Sequence, residues 1–398
     1  MATTQAGIPA DIIRSVLLNL PVKALLKFEC VCKEWCSLIR DSNFKHSYRG
    51  EERLIALSKS PGFSHPIKIS LVDPLSHVCV LEQLGEFTEH LSFLKDKRYP
   101  RPHVLGCCNG LVLLSFNSHI FLWNPSTRHC SKVLQLLTDS VGGPKGSGFF
   151  YDSSTGDYNA IILLPRLVLV ASLKKKEWRE LSLPNNLRCG RHVLQFRNIF
   201  HFEAIDLQWG TDHFSRRYKI LYFDPESEKF KPFPAPKVKD GVAQEISAFG
   251  VIEDCFSITI HNRCDNTTEI LSMKKYGVAE SWVSMFIISG SELPILYYDR
   301  VTFYSLKRKG LIWRCWRPPT MFVLDMETKE RKTVLDGITR ETIAGGLDTC
   351  LVVESLASPH EFIWIDDQHK HFAKEITLRG TSLQIIGRCG IAIGAISN

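Results

Sequence analysis

Two patterns of apolar residues divide this 398-residue chain. Within the first forty residues, apolar side chains recur every three or four positions, as at Ile12, Ile13, Val16, Leu17 and Leu20. This is the spacing of one face of an α-helix. From Leu54 onward, short runs rich in Val, Ile, Phe, Tyr and Leu are cut by Gly, Pro, Asn and Asp, which is typical of strands and turns. The patterns predict a two-part α+β chain, with a small helical module followed by an all-β domain.

The helical module is predicted to contain three short helices. Pro9 suits the first turn of a helix, and Pro21 ends that helix because the residue before a proline is disfavoured in the α region. The second and third helices are predicted from the apolar residues Leu25, Leu26, Phe28, Val31, Trp35, Leu38 and Ile39. Asp41, Ser42 and Asn43 are typical of a closing turn.

A module of about forty residues is near the lower size limit for independent stability. Its surplus apolar side chains therefore need a partner. Periodicity alone leaves two partners open: the downstream domain, which the helices would cap, or another protein.

The residues of this segment resemble the F-box in the form common in plant F-box proteins. The match rests on Ile8-Pro9, Leu20-Pro21-Val22-Lys23, Leu25-Leu26, Phe28 and Cys30-Val31-Cys32-Lys33-Glu34-Trp35, with Ile8 where leucine is more usual. The resemblance places the F-box at residues 4–46. It implies docking on a Skp-type adaptor, which links the chain to a cullin and a RING subunit for ubiquitin transfer.

Docking on the adaptor is expected to rest on the apolar surface of the F-box. The candidate residues are Pro9, Ile12, Ile13, Leu17, Leu20, Pro21, Val22, Leu25, Leu26, Val31, Cys32 and Trp35. The sequence does not separate those that face the adaptor from those that pack internally. Replacing Leu20 and Pro21 with alanine is predicted to weaken adaptor binding and to leave the β domain folded.

Turns recur at nearly regular intervals through the β part. The residues Asp73, Asn124, Leu173, Asp224, Met273, Asp325 and Asp366 each follow a predicted strand, at spacings of 51, 49, 51, 49, 52 and 41. A period near fifty is in the range of kelch-like propeller blades. Asn-Pro and Asp-Pro suit the turns, because the Asx side chain bonds the backbone two residues on. A β-sandwich or an irregular β domain is the alternative.

The repeat favours a seven-bladed propeller and leaves six blades open. Trp178, Phe230 and Trp282 on the outgoing strands are predicted to stack against the next blade. Residues 47–66 are predicted to hold a linker and the first strand, and the propeller is predicted over residues 52–398. The segment Ser382–Ile386 is expected to close the ring by joining the first blade.

The β part also resembles the plant F-box-associated domain, over about residues 100–360. The match includes Gly106-Cys107-Cys108-Asn109-Gly110-Leu111, Leu122-Trp123-Asn124-Pro125-Ser126-Thr127-Arg128, Met273-Lys274-Lys275-Tyr276-Gly277-Val278 and Val353-Glu354-Ser355-Leu356. The family includes the S-locus F-box proteins of pollen self-incompatibility and regulators of immune receptors. The residues do not choose between these processes.

Composition adds limits on partners and location. The net charge is +7 and the only compact basic run, Lys174-Lys175-Lys176, falls at a predicted hairpin, so no nucleic-acid partner is expected. No apolar run has the length of a membrane span, and the N-terminus lacks a signal-peptide pattern. We therefore expect no membrane partner and a location in the cytoplasm, the nucleus or both. The thirteen cysteines are expected to be reduced thiols.

Motifs of catalysis and metal binding are missing from the sequence. No phosphate-binding GxxxxGK[ST] or nucleophile-elbow GxSxG occurs, and the glycine-rich residues 142–148 are predicted to form a mobile loop between blades. Cys30, Cys32 and Cys36 lack the spacing of a zinc site, and His369 and His371 lack further ligands. We therefore expect a non-catalytic protein with no cofactor and no metal.

Two functions remain open at this point. The favoured one is an adaptor of a ubiquitin ligase that captures an unidentified protein substrate with loops of the propeller. The alternative is a propeller enzyme or small-molecule sensor that carries the F-box as a localising or degradation tag. The candidate substrate loops are residues 137–148, 203–217 and 289–294. Of these loops, 203–217 is favoured because it contains Trp209, Phe214, Arg216 and Arg217. A solvated loop with one packed aromatic residue would show the same sequence pattern.

Overall fold

The computed structural model describes most of the N-terminal two thirds of the chain and parts of the remainder. The described residues are 8–48, 50–59, 67–72, 82–83, 103–116, 119–135, 146–164, 167–184, 186–197, 199–206, 217–224, 227, 229–236, 244–262, 264–289, 302–306, 310–316, 319–325, 328, 331–333, 347–359, 376–378 and 381–383. Within these ranges, no helix is long and apolar enough to cross a membrane.

The N-terminal module contains four helices rather than three. They are α1 (Ala10–Leu18), α2 (Val22–Phe28), α3 (Lys33–Arg40) and α4 (Ser42–Ser47). The predicted closing turn is wrong, because the Asp41 side chain accepts a hydrogen bond from Phe44 N at 3.0 Å and caps α4. Val31 was predicted to lie in the third helix, but it precedes α3, which begins after Cys32.

The β part contains twenty-six described strands. In chain order they are β1 (Glu52–Lys59), β2 (Ile67–Val72), β3 (Glu82–Gln83), β4 (His103–Cys108), β5 (Leu111–Phe116), β6 (His119–Trp123), β7 (Cys130–Gln135), β8 (Gly146–Asp152), β9 (Asp157–Leu163), β10 (Leu167–Ser172), β11 (Glu177–Ser182), β12 (Leu187–Phe196), β13 (Ile199–Asp206), β14 (Arg217–Asp224), β15 (Lys229–Phe233), β16 (Gln244–Ile252), β17 (Cys255–Asn262), β18 (Thr267–Met273), β19 (Trp282–Ser289), β20 (Thr302–Leu306), β21 (Gly310–Trp316), β22 (Pro319–Asp325), β23 (Arg331–Thr333), β24 (Leu347–Val353), β25 (Ile376–Leu378) and β26 (Thr381–Leu383).

These strands form six four-stranded antiparallel blades, as far as the described residues show. In order from the innermost strand outward, blade 1 is β24-β1-β2-β3, blade 2 is β4 to β7, blade 3 is β8 to β11, blade 4 is β12 to β15, blade 5 is β16 to β19 and blade 6 is β20 to β23. Blades 5 and 6 join into one sheet through a short parallel pairing of their inner strands, at Gly250 and Phe303. The inner strands of blades 1 to 6 contact one another in sequence, as in a propeller. Six blades is the alternative that the repeat left open beside seven.

The strand that completes blade 1 comes from the far end of the chain. β24 pairs with β1 along its whole length, from Glu52 opposite Val353 to Ser58 opposite Leu347. The predicted closing segment, Ser382–Ile386, is therefore wrong: Thr381–Leu383 pairs with Ile376–Leu378 in a separate hairpin, and residues 384–386 lie outside the described part.

The fifty-residue repeat corresponds to one blade per unit. Five predicted turn residues fall at the same place in successive blades, at or directly after the end of the third strand, in the order Asn124, Leu173, Asp224, Met273 and Asp325. The first turn residue, Asp73, lies outside the described residues. The basic run at residues 174–176 lies in one of these turns, between β10 and β11, as predicted. The seventh turn residue, Asp366, lies outside the described residues.

Two aromatic residues of the outer strands bond the preceding blade, whereas the prediction placed their contacts on the next blade. Trp178 of blade 3 donates its Nε1 hydrogen to Gln135 O of blade 2 at 3.0 Å. In the same way, Trp282 of blade 5 donates to Pro234 O, directly after blade 4, at 3.1 Å. Phe230 of blade 4 packs against the core shared by blades 3 and 4.

The glycine-rich segment is in part a strand. Gly146 and Gly148 lie in β8, the inner strand of blade 3, so the prediction of a mobile loop is wrong for residues 146–148. A Cβ added at Gly148 would overlap the Phe200 ring of blade 4. Glycine is therefore required there because two blades approach closely, while residues 142–145 lie outside the described part.

Candidate docking surface and substrate-binding face

The F-box helices surround a small core that one propeller residue completes. Leu17, Val22, Leu25, Ile39, Phe44, Tyr48 and Leu356 form this buried cluster. Three predicted docking residues, Leu17, Val22 and Leu25, are at most 1% exposed. The structure corrects their assignment, because their apolar side chains are already buried inside the protein and leave nothing for an adaptor to contact.

Exposed apolar residues of the F-box form the candidate docking surface. Their exposed fractions are 67% for Ile8, 53% for Ile12, 56% for Val16, 37% for Leu26 and 60% for Val31. Ile12 and Val16 lie four residues apart, which places them on one side of α1, and Ile8 directly precedes Pro9, the N-cap of this helix. A row of large apolar side chains in water is typical of a protein-binding site.

The other predicted docking residues fall into two groups. Pro9, Pro21 and Cys32 are exposed, whereas Ile13, Leu20 and Trp35 are partly buried against the F-box core. The Trp35 ring meets Phe28 edge to face with 5.4 Å between centroids. The candidate docking residues chosen from the sequence did not include the exposed residues Ile8 and Val16, although the four-residue spacing of Ile12 and Val16 contained the signal for the second of them.

Polar contacts hold α3 in place beneath this surface. Arg40 at the end of α3 pairs with Glu29 after α2, with Nη2 and Oε2 2.9 Å apart. The hydrogen bond and the negative charge of Glu29 raise the pKa of the Arg40 guanidinium. The Cys32 Sγ atom accepts a hydrogen bond from Trp35 N at 3.4 Å, so Cys32 acts as the N-cap of α3.

The F-box is fixed on the propeller by a short, densely bonded junction. Tyr48 donates its hydroxyl hydrogen to Leu20 O at 2.8 Å, and Gly50 N donates to Glu354 O at 3.2 Å. Burial, with smaller contributions from the carboxylates of Glu354 and Glu51, raises the pKa of Tyr48 to about 12, so its hydroxyl stays protonated and able to donate. The F-box therefore caps the propeller through one face and exposes apolar residues on another, so the two partners left open by periodicity are not exclusive.

Asn124 connects the junction to blade 2. Its Nδ2 atom donates to Ser355 O at 3.0 Å and to Ala357 O at 2.8 Å, and its Oδ1 atom accepts from Ser126 N at 2.8 Å. The last bond is the Asx turn predicted from the Asn-Pro motif. Because Asn124 is fully buried, these bonds hold the segment after β24 against the turn at residues 124–128.

Strand alternation separates the two faces of the propeller. The F-box lies against the end of β24, the start of β1 and the β6–β7 turn. In an antiparallel blade, the turn between the first and second strands and the turn between the third and fourth strands lie on the same face. The three positions next to the F-box all correspond to turns of these two kinds, so they lie on one face of the propeller. The remaining connections, from the second to the third strand and from one blade to the next, lie on the opposite face. Three of them are flanked by the strand ends Gln135 and Gly146, Asp206 and Arg217, and Ser289 and Thr302. The three predicted substrate loops thus start from the face that the F-box leaves free.

The predicted substrate residues are mostly beyond the described part of the chain. Trp209, Phe214 and Arg216 fall outside it, while Arg217 begins β14, where its backbone lies opposite that of Asp206 in β13. The predicted loop 203–217 is too long at its start, because residues 203–206 belong to β13. In this strand, Asp206 is buried and forms an ion pair with Lys219, with Oδ2 and Nζ 2.8 Å apart.

The described residues contain no cluster suited to a metal ion, and two of their cysteines are held as protonated thiols. Within them, no group of three or more His, Cys, Asp and Glu side chains could hold a metal ion, and the described cysteines, Cys30, Cys32 and Cys36 among them, are free thiols. Burial raises the pKa of Cys130 and of Cys189 to about 12, so both thiols stay protonated at neutral pH. His369 and His371 lie outside the described residues.

Comparison with known proteins agrees with this two-part architecture. The F-box domain family matches residues 7–47, and the F-box associated beta propeller domain family matches residues 67–334. The F-box/kelch-repeat protein At3g23880 of Arabidopsis thaliana is 27% identical over 299 residues, covering 71% of this chain and 80% of the relative. The Arabidopsis F-box protein CPR1 is 25% identical over 370 residues, covering 83% of this chain and 84% of the relative. Since the propeller family matches more than half of its length, the chain belongs to the F-box proteins with an F-box-associated β-propeller, as found in plants.

Proposed function

We propose that this protein is the substrate-recognition subunit of an SCF-type (Skp-cullin-F-box) ubiquitin ligase. The observation that carries the proposal is the group of exposed apolar residues Ile8, Ile12, Val16, Leu26 and Val31 on an F-box that is fixed to a propeller. Burying one such side chain contributes about 1.5–3 kcal/mol. Burial of these side chains is the proposed driving force for docking of a Skp-type adaptor, which brings the cullin and the RING subunit with it.

The propeller is proposed to capture a target protein on the face opposite the F-box. The three long connections arise from that face, and loops held by a rigid scaffold are where binding residues concentrate. Trp209, Phe214, Arg216 and Arg217 remain the proposed contacts. The protein itself is proposed to be non-catalytic: it holds the target for ubiquitination, which leads to proteasomal degradation. We propose the cytoplasm and the nucleus as its location.

The test is co-purification of the tagged protein with Skp adaptor and cullin from plant cells. The variant Ile12→Glu/Val16→Glu places two charges in the candidate docking surface. A matched control is Val283→Glu/Ile287→Glu, because Val283 and Ile287 are apolar residues of β19 with similar exposure, 46% and 68%. We expect the wild type and the control to recover both subunits. The F-box variant should recover at least about tenfold less adaptor, because burying a charged group in an apolar interface costs free energy.

Equal recovery of the adaptor by the F-box variant and the wild type would overturn the docking assignment. The Leu20→Ala/Pro21→Ala variant is a less specific probe, because Leu20 also packs against the F-box core. Proteins that accumulate with the F-box variant and decline with the wild type would be the degradation targets.

A further inference from the structure

Two thiols from different blades meet in the core between blades 1 and 2. Cys107 lies in β4, the inner strand of blade 2, and Cys350 lies in β24, the strand that completes blade 1. The Cys107 Sγ atom donates a hydrogen bond to Leu351 O at 2.9 Å, and Cys350 belongs to the buried cluster against which Cys107 packs. The Cys350 thiol in turn donates a hydrogen bond to the Cys107 sulfur. The two sulfur atoms are therefore in contact across the boundary between the blades.

Strand geometry separates this pair from the neighbouring cysteines. Successive side chains of a strand point to opposite faces, so Cys107 packs in the core of blades 1 and 2, whereas Cys108 packs in the core of blades 2 and 3. Cys130 contacts the same core as Cys107, but it begins β7, three strands away from β4. At the usual spacing of strands this separation is about 14 Å. Among the described cysteines, Cys107 is thus the partner that Cys350 can reach.

The two cysteines differ in a way that suits stepwise oxidation. Cys107 is partly exposed, whereas Cys350 is only 4% exposed, so a small oxidant meets Cys107 first. The hydrogen bond from Cys350 lowers the pKa of Cys107 against the opposing effect of burial, and the thiolate is the reactive form of a cysteine. In contrast, burial raises the pKa of the adjacent Cys108 to about 11. Cys107 is therefore placed to react first and Cys350 to react second.

We propose that Cys107 and Cys350 are a modification site at which hydrogen peroxide forms a disulfide between blades 1 and 2. The Cys107 thiolate attacks one oxygen of the peroxide, the O–O bond breaks, and hydroxide leaves a sulfenic acid on Cys107. The Cys350 sulfur then attacks the Cys107 sulfur, the S–O bond breaks, and the departing hydroxide takes the Cys350 proton as water. In sum, two thiols lose two electrons and two protons, and one hydrogen peroxide is reduced to two molecules of water.

The disulfide would fasten the strand that completes the first blade. It ties β24 to blade 2, so β24 can no longer separate from the ring. The chain reaches Leu356 of the F-box core directly after β24, so the bond also secures the segment on which F-box attachment depends. In a reducing compartment, disulfides are usually transient and respond to the redox state. This inference does not depend on ligase assembly, because it concerns the full chain alone.

The proposal is tested by mass spectrometry on the purified full chain. The protein is reduced, freed of reductant, treated with a small excess of hydrogen peroxide at neutral pH and blocked with N-ethylmaleimide. The monomer is then isolated and digested without reductant. We expect a peptide pair linked through Cys107 and Cys350 that disappears after treatment with dithiothreitol. The thermal unfolding midpoint of the oxidised monomer should rise by at least about 2 °C, because a disulfide constrains the unfolded chain.

Variants identify the reacting thiols. Cys107→Ser and Cys350→Ala should each abolish the linked peptide and the rise of the midpoint. The matched control is Cys108→Ser, which changes the adjacent cysteine that packs in the other core. A second control is Cys130→Ser, which changes a cysteine of the same core. Both controls should keep the linkage and the rise. The linkage in the wild type is measured without any variant, so the test does not rest on the folding of the variants.

Three outcomes would overturn the proposal. The first is that the peroxide-treated wild type contains no Cys107–Cys350 linkage. The second is that Cys350 is found linked to another cysteine instead. The third is that the midpoint stays constant in a monomer that carries the linkage, or that it rises equally in Cys107→Ser, since either result separates the disulfide from the fastening of β24.

Discussion

His201 is a fully buried imidazole at the boundary of blades 4 and 5. Its Nδ1 lies 3.1 Å from Ile199 O and its Nε2 lies 2.7 Å from the Tyr276 hydroxyl oxygen. Because a carbonyl only accepts, Nδ1 carries the hydrogen and Nε2 accepts from Tyr276. Burial lowers the pKa of His201 to about 4 and raises that of Tyr276 to about 12, so both groups are neutral at physiological pH.

Stability is predicted to fall as the pH drops below about 6.5. Between that value and the folded-state pKa of about 4, the unfolded chain binds a proton on residue 201 that the folded chain does not. From pH 7 to pH 5 this linkage removes about 2 kcal/mol from the free energy of unfolding. In urea unfolding at the two pH values, His201→Gln should lower stability at pH 7 but show a smaller loss on acidification.

The control for this experiment is His129→Gln, since His129 is exposed. It should keep the pH dependence of the wild type. An unchanged pH dependence in His201→Gln would show that another group causes the acid sensitivity.

At the scale of secondary structure, β24 determines whether blade 1 is complete. It supplies the innermost strand, with seven paired residues against β1, and its Cys350 and Val352 are buried against blade 2 residues such as Val112 and Trp123. Without it, β1 presents an unpaired edge, which favours aggregation.

A chain that ends at residue 346 is therefore predicted to be insoluble, whereas a chain that ends at residue 375 should remain folded. The second truncation removes the hairpin β25–β26, whose described pairing is internal. Far-ultraviolet circular dichroism and size-exclusion chromatography of both truncations check the prediction. A soluble, monomeric chain ending at residue 346 would contradict the role of β24.

The strand content and the blade period were predictable from the sequence, because turn chemistry at residues such as Asn124 and Asp224 repeats once per blade. The closing strand was not, since Leu347–Val353 and Ser382–Ile386 have similar apolar patterns and only pairing with β1 distinguishes them. The same limit applies to the docking surface: Leu17 and Val16 are adjacent apolar residues, and only packing against Leu356 shows which of the two is buried. The roles of Trp209, Phe214, Arg216 and Arg217 in substrate binding stay predictions.

At the scale of the whole molecule, the F-box and the propeller share a core. Leu356, which follows β24, is 5% exposed and belongs to the same buried cluster as Leu17, Val22 and Leu25. The position of the candidate docking surface relative to the propeller is thus set by packing, as the proposed ligase function requires.

Leu356→Ala is predicted to loosen the F-box specifically. Removing a buried leucine side chain costs about 2–5 kcal/mol, and here the loss falls on the contact between the two parts. Amide hydrogen exchange measured by mass spectrometry should become faster in α1 and α2 and stay nearly constant in blades 3 and 4.

Leu183→Ala is the matched control, because Leu183 is also 5% exposed but packs in the core between blades 3 and 4. In this variant, amide exchange should become faster in blades 3 and 4 and stay nearly constant in α1 and α2. Equal exchange in α1 and α2 of Leu356→Ala and the wild type would mean that the F-box core is complete without the propeller.

The origin of Leu356 and β24 late in the chain has a consequence for synthesis on the ribosome. The F-box helices emerge first, yet their core lacks Leu356 until about three hundred further residues have been translated, which takes about 15 to 60 s at the usual rate of about 5–20 residues per second. The inner strand of blade 1, β24, is translated after a similar delay. A nascent or prematurely terminated chain therefore has an incomplete F-box core and an incomplete first blade, and only translation past residue 356 yields a molecule in which the F-box and the propeller are joined.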